Sequence, residues 1–229
     1  AAYHLYTNFI INMTEKSSIE TIDLVCDDID SLLGDAWSLC GMLTGDIKMQ
    51  KYLRMDFDSI RDQYSNDLAG SMELASISTY RKDIFGVYVF GQNGGRYKSN
   101  YYSFKSEDQR ETTWYKTIAG SEEATWFPSH EGSFIVRSSI SDNFITVGQP
   151  VVDKASGMVN GIVAADIKED AITEKIKHSL NNGVICIIDQ EGGILFRSNA
   201  GNDLHYPIDI SPSLVSHILE STGTAVGKS

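Results

Sequence analysis

The feature that most restricts this chain is an apolar row near its start. Ile19, Ile22, Cys26, Ile29, Leu33, Ala36, Cys40 and Leu43 alternate spacings of three and four. On a helix of 3.6 residues per turn such spacing forms one continuous stripe, so it predicts a single long amphipathic helix over 19–43. Asp23, Asp27, Asp28, Asp30 and Asp35 fall off the stripe and read as a solvated face. A calcium loop is not expected, because the ligand spacing and central glycine of an EF-hand are missing.

From Ile47 to Tyr80 the helical pattern continues more loosely, and Met49, Tyr52, Leu53, Phe57, Ile60, Tyr64 and Leu68 read as core positions. The period changes to two in DIFGVYVFGQNGGRYKSNYY, which predicts a hairpin turning at Gly94-Gly95. A short helix at TTWYKTIAG follows. Strands are then suggested by ATWFPS, SFIVRSSI, FITVGQPVVD and MVNGIVAADI, separated by the turn signals HEG, SDN and KASG, which gives an antiparallel meander. Past Asp166, the helical EDAITEKIKHSL leads into GVICIIDQEGGILFRSN, which repeats the pattern of the first hairpin. Only 47 residues remain from Gly183, so this second copy is smaller or incomplete. The expected class is α+β, with one unit over 1–168 and another over 169–229.

With 41% hydrophobic residues in 229, the chain has enough apolar surface for an ordinary core. Acids outnumber Lys and Arg by 31 to 19, a net charge of -12 that repels polyanions, so nucleic acid is excluded as a partner. If 26–40 is helical, Cys26 and Cys40 lie about 21 Å apart at 1.5 Å per residue and cannot form a disulfide. Cys186, inside VICII, reads as inert packing. Neither a nucleophile elbow nor a His pair with metal spacing is present, so no catalytic set, metal or cofactor is expected. The terminal GTAVGKS departs from a phosphate loop, which requires glycine where Thr222 stands. There is no stretch of 18 apolar residues, and the start lacks the basic and apolar regions of a signal peptide.

The long N-terminal helix, the strand-turn-strand ending in Gly94-Gly95, the Trp114-Tyr115 pair and the meander closing on GIVAADI together resemble the double Cache family of extracytoplasmic sensor domains. The resemblance spans most of the chain. It is nearest to the ectodomains of YesM-like sensor histidine kinases of Gram-positive bacteria, in which a WY pair precedes a W-x-P-x-H-like segment, here Trp126 to His130. It implies a PAS-like fold, with helices on one or both faces of a five- or six-stranded antiparallel sheet. A membrane-distal Cache unit would occupy 1–168 and a membrane-proximal one 169–229, as an ectodomain excised from between two membrane helices and displayed outside the cell.

The implied function is to bind a small molecule (an amino acid, amine, sugar or organic acid) and to report it to the kinase of a two-component system. The alternative output is a chemoreceptor or a diguanylate cyclase. From other classes, a structural adhesion domain and an extracellular hydrolase are the competing readings. A homodimer through the N-terminal helix is also expected.

Amino-acid receptors of this family carry Arg-x-Trp-Tyr before the sheet and an Asp on the last strand, and Trp114, Tyr115 and Asp166 fit those places. The Arg place holds Thr112, and the nearest arginine, Arg110, lies two residues further back. Strand alternation puts Ile162, Ala164 and Asp166 on one face, where the small Ala164 leaves space beside a carboxylate suited to a cation. The competing role for Asp166 is to cap the helix that follows. Trp114, Tyr115 and Trp126 would wall the pocket, or else form core. His130 and Arg137 would bind an anion or polar group, or else pair at the surface. Tyr88 and Tyr102 rank below these. The pocket is expected in the first unit, between the sheet and its covering loops.

Overall fold

The computed structural model describes residues 19–78, 83–138, 142–179, 183–188 and 193–200. The chain divides into two compact units, one over Asp35–Lys168 and one joining the residues up to Gly34 with those from Glu169 on. The first helix runs through Gly34 and contributes residues to both units.

Helix α1 spans Ile19–Gly45. Its row is buried from Cys26 through Ile29, Leu33, Ala36 and Cys40 to Leu43, and Val25, Leu32 and Leu39 widen the buried face. Asp27 and Asp28 are exposed, as a solvated face requires. From Cys26 to Leu43 the row is thus used inside the chain.

Helix α2, Ile47–Arg54, begins where the Asp46 carboxylate accepts the Met49 N–H at 2.8 Å, and it buries Met49 and Leu53. Such a cap stabilises a helix by about 1 kcal/mol.

The 35–168 unit is built on a five-stranded antiparallel sheet: β1 (Ile84–Gly91), β2 (Arg96–Lys98), β3 (Thr125–Glu131), β4 (Asn143–Val152) and β5 (Val159–Lys168), in the order β2-β1-β5-β4-β3. The expected meander is therefore β3-β4-β5, with the hairpin β1-β2 joined to its far side. Gly94 takes a φ of +90°, which L side chains rarely adopt, and this fixes the hairpin turn. Over 133–138, the described part of SFIVRSSI, no strand forms. Ser133 Oγ accepts the N–H groups of both Ile135 and Val136, folding the segment into a turn whose single bridge is Val136 to Phe104.

Helix α3, Ile60–Ser78, lies along the edge strand β2. Its carboxylate Asp67 accepts the Arg96 N–H at 2.8 Å, and Ser71 Oγ accepts the Lys98 N–H at 3.2 Å. These are outward-facing donors that an uncovered sheet edge would offer to another strand. Gly70 permits the approach, since a Cβ there would stand 2.1 Å from Tyr97 Cδ1.

On α3, Asn66, Gly70 and Leu74 are buried, while Ile60, Tyr64 and Leu68 are exposed. That reverses the core assignment of those three. The polar grip of Asp67, Ser71 and Asn66 on β2 sets the rotation of the helix, and the apolar row is left facing out.

In the other unit, α5 (Glu169–Ser179) buries Ile172 and Ile176 and packs on the antiparallel pair β6 (Gly183–Ile188) and β7 (Ile194–Ala200). Among the described residues, no helix is long and apolar enough to cross a membrane. The terminal GTAVGKS lies outside the described residues.

Candidate functional site

Register fixes which side chains share a face. Gly86, Asp166 and Thr146 are paired across β1, β5 and β4, as are Tyr88, Ala164 and Gly148, and Phe90 pairs with Ile162. Over this face lies α4 (Thr113–Ala119), whose Trp114, Tyr115 and Ile118 are buried with Tyr88, Phe90, Ile135, Val136, Ile162 and Ala164 in one cluster. The expected face is thus assembled, but side chains fill it where a pocket was expected.

At one end of the cluster is Asp166, fully buried. It does not cap α5. Its Oδ2 accepts from Ser133 Oγ at 2.6 Å and its Oδ1 from Thr146 Oγ1 at 2.6 Å, and the Tyr88 hydroxyl is a third partner. Tyr88, ranked low from the sequence, is therefore central, and its hydroxyl also accepts from Asn100 Nδ2 at 2.9 Å. Burial raises the Asp166 pKa to about 6, against the pull of its three hydroxyl partners and of Lys105.

His130 closes the network. Its Nε2 is 3.0 Å from Thr146 Oγ1 and its Nδ1 is 2.9 Å from the Gly132 carbonyl. A carbonyl only accepts, so Nδ1 carries a proton. The single Thr146 hydroxyl proton cannot serve both Asp166 and a neutral Nε2. Every bond is satisfied only when the pair holds one further proton, either on Asp166 with the hydroxyl turned to His130, or on Nε2. Burial, the largest influence, lowers the His130 pKa below its ordinary value.

Phe134 sits between His130 and Trp114. Its ring is 3.6 Å from that of His130 at an interplanar angle of 15°, and 6.4 Å from that of Trp114 at 8°. The Trp114 Nε1 and Tyr115 hydroxyl are buried without a hydrogen-bond partner, as is Gln109 Oε1. Unpaired buried donors are rare in folded chains and mark a place where an acceptor is missing. Burial raises the Tyr115 pKa to about 12. A cavity of about 260 Å³ meets the cluster at Phe90 and is also lined by Gln109, Arg110 and Arg96.

Other expected residues lie elsewhere. Trp126 pairs with Val147, one step out of phase with Thr146, so it is on the opposite face of the sheet. The β3 register shifts between Phe127 and His130, and that shift brings His130 to the Asp166 face. Arg137 is exposed, and its backbone N–H bonds to Ser103. Tyr102 packs at the rim, its ring 4.9 Å from Phe85 and 4.6 Å from Tyr101.

Arg110 is engaged with Asp108 at 2.6 Å and with the Gln92 carbonyl at 3.1 Å. Thr112, in the family's Arg place, caps α4 by accepting the Tyr115 N–H. Ser133, Phe134, Thr146 and Asn100 were missed. A lone Thr in the apolar run FITVG was the one available hint.

Among the described residues, no three His, Cys, Asp or Glu groups gather as a metal site. Cys26, Cys40 and Cys186 are buried thiols outside any disulfide, and burial raises the pKa of the Cys40 and Cys186 thiols.

A five-stranded antiparallel sheet carrying α4 and its loops on one face and α1 on the other is the PAS-like Cache fold of chemoreceptor ligand-binding domains. The ligand-binding domain of the Campylobacter jejuni chemoreceptor Tlp3, in complex with L-valine, matches with a TM-score of 0.57 at 16% identity, over 88% of this chain and 77% of that one. That of the Pseudomonas aeruginosa PAO1 amino acid chemoreceptor PctC, in complex with GABA, matches with a TM-score of 0.52 at 17% identity, over 77% and 73%. That of Pseudomonas fluorescens CtaA, in complex with L-serine, gives a TM-score of 0.50 at 15% identity, over 76% and 67%. At these identities the likeness is one of fold. No family model and no curated protein matches the chain.

Proposed function

We propose that the chain is the ligand-binding part of a bacterial membrane receptor, displayed outside the cell. Its ligand is a short amphoteric molecule of the amino-acid class, bound on the aromatic face of the 35–168 unit. One observation carries this reading: a buried carboxylate, Asp166, is bonded to the Tyr88 hydroxyl, and the cluster that holds Tyr88 also holds two buried donors, Trp114 Nε1 and Tyr115 OH, that have no partner. An ammonium group suits the first and a carboxylate the others. A charge-assisted bond contributes about 1.5 to 3 kcal/mol in such surroundings.

The ligand enters by displacing Ser133 from Asp166 and Phe134 from between His130 and Trp114. Sensing is assigned to the unit ending at Lys168, and the residues from Glu169 on transmit. The solved neighbours are chemoreceptor domains, which supports a chemoreceptor output over the histidine kinase implied by the sequence.

A thermal-shift panel of amino acids, amines, sugars and organic acids tests the reading. An amino acid or amine raises the Tm of the wild type and not of Asp166→Asn. A panel without effect, or a shift that survives the substitution, overturns it.

A further inference from the structure

Helix α3 presents Ile60, Tyr64, Leu68 and Met72 at a constant spacing of four, and they are 87%, 69%, 53% and 68% exposed. That spacing makes one ridge, about 18 Å long at 1.5 Å per residue. The opposite face of the helix is committed to β2 through Asn66, Asp67, Gly70 and Ser71. Single exposed apolar side chains are ordinary, but a contiguous row of four large ones marks a surface that is covered in use.

The flank one residue further on holds Arg61, Ser65, Ala69 and Glu73, with a cation at one end, an anion at the other and small residues between.

We propose that this ridge joins two copies of the chain, with the α3 helices antiparallel about a two-fold axis at the level of Asn66. Such an interface must complement itself, because each residue meets its counterpart's surroundings under the axis. The flank does so. Ile60 meets the partner subunit's Met72, Tyr64 meets the partner subunit's Leu68, and Arg61 faces the partner subunit's Glu73 at both ends. Ser65 and Ala69 let the backbones approach at the crossing. Rows of spacing four packed against each other are the commonest helix contact in globular proteins. Glu73 keeps its 2.7 Å bridge to Lys48, which adds to the positive charge around it.

A helix pair of this length covers less than the roughly 1,200 to 2,000 Å² of a standard stable interface. The free chain therefore dimerises weakly, and two copies anchored side by side associate through their raised effective concentration. With the two-fold axis normal to the membrane, the pairing lays α3 along the membrane plane.

Sedimentation equilibrium of the 229-residue chain, from micromolar to millimolar, tests the proposal. The wild type is a concentration-dependent dimer, and Leu68→Glu is a monomer with an unchanged circular dichroism spectrum. Arg61→Glu alone and Glu73→Arg alone each weaken association by about tenfold, and the double exchange restores it. A wild type that stays monomeric at millimolar concentration overturns the proposal. So does a dimer that Leu68→Glu leaves intact, or a double exchange that fails to restore pairing.

Discussion

The Ser133 hydroxyl donates to Asp166 Oδ2 at 2.6 Å, so the chain itself supplies the first partner of its buried carboxylate. Ser133 is anchored in turn by the N–H groups of Ile135 and Val136, which makes the 133–136 turn an internal occupant of the proposed site. Ser133→Ala leaves the carboxylate short of one bond, at a cost of about 1 to 3 kcal/mol in urea unfolding. The same change removes a competitor, so calorimetric affinity for an amine-bearing hit from the panel rises. Equal affinity in both proteins would refute the competition.

Tyr115→Phe separates binding from folding. The Tyr115 hydroxyl is buried without a partner, so deleting it removes an uncompensated desolvation cost. The variant is expected to be as stable as the wild type or more so, by roughly 1 kcal/mol, while ligand affinity falls. A loss of stability would mean that the hydroxyl is bonded in the free protein.

The carboxyl of Asp166 makes stability depend on pH. Its folded pKa, about 6, lies above its unfolded value near 4, so between these the folded chain holds more protons than the unfolded one. Its stabilising effect is therefore complete below about pH 4 and is lost as the pH rises through 6. Relative to Asp166→Asn, the wild type should lose on the order of 3 kcal/mol between about pH 4 and 7. His130 opposes this, because its lowered pKa makes stability rise with pH up to its unfolded value. Tyr88, Cys40 and Lys105 also act electrostatically on Asp166 or His130. Parallel pH profiles for wild type and Asp166→Asn would show that the carboxyl does not titrate in that range.

Gly70→Ala brings a methyl within 2.1 Å of the Tyr97 ring and lifts α3 from β2. Overpacking of this kind costs about 1 to 3 kcal/mol. The loosened Asp67 and Ser71 contacts also expose Arg96 and Lys98 N–H groups to strand pairing. A lower Tm together with light scattering below the melting point is the expected signature, and an unchanged Tm would place the helix elsewhere.

What the sequence revealed and what it concealed both follow from the range of the interactions. The α1 row and the Gly94 turn are local, and both are visible as periods and turn residues. Asp166 stood out because a carboxylate interrupts the apolar GIVAADI.

Its partners did not, since Ser133 and Thr146, 33 and 20 residues away, reach it only through a turn and a strand register. Trp126 and His130, read as one motif, face opposite sides because of a register shift between them. Ile60, Tyr64 and Leu68 were read as core since an apolar row ordinarily is. Here the polar contacts of the opposite face decide the rotation of the helix.

The division of the chain at Gly34 and Lys168 also sets an order of synthesis. The unit spanning Asp35–Lys168 is one unbroken stretch, whereas the other draws on both sides of it. As the polypeptide leaves the ribosome, the sheet and its buried carboxylate are complete before β6 and β7 exist. The residues of α1 before Asp35 precede that stretch and their unit is complete only once β6 and β7 follow, so a ribosome stalled after Lys168 would display the five-stranded sheet already folded beside a unit still lacking its strands.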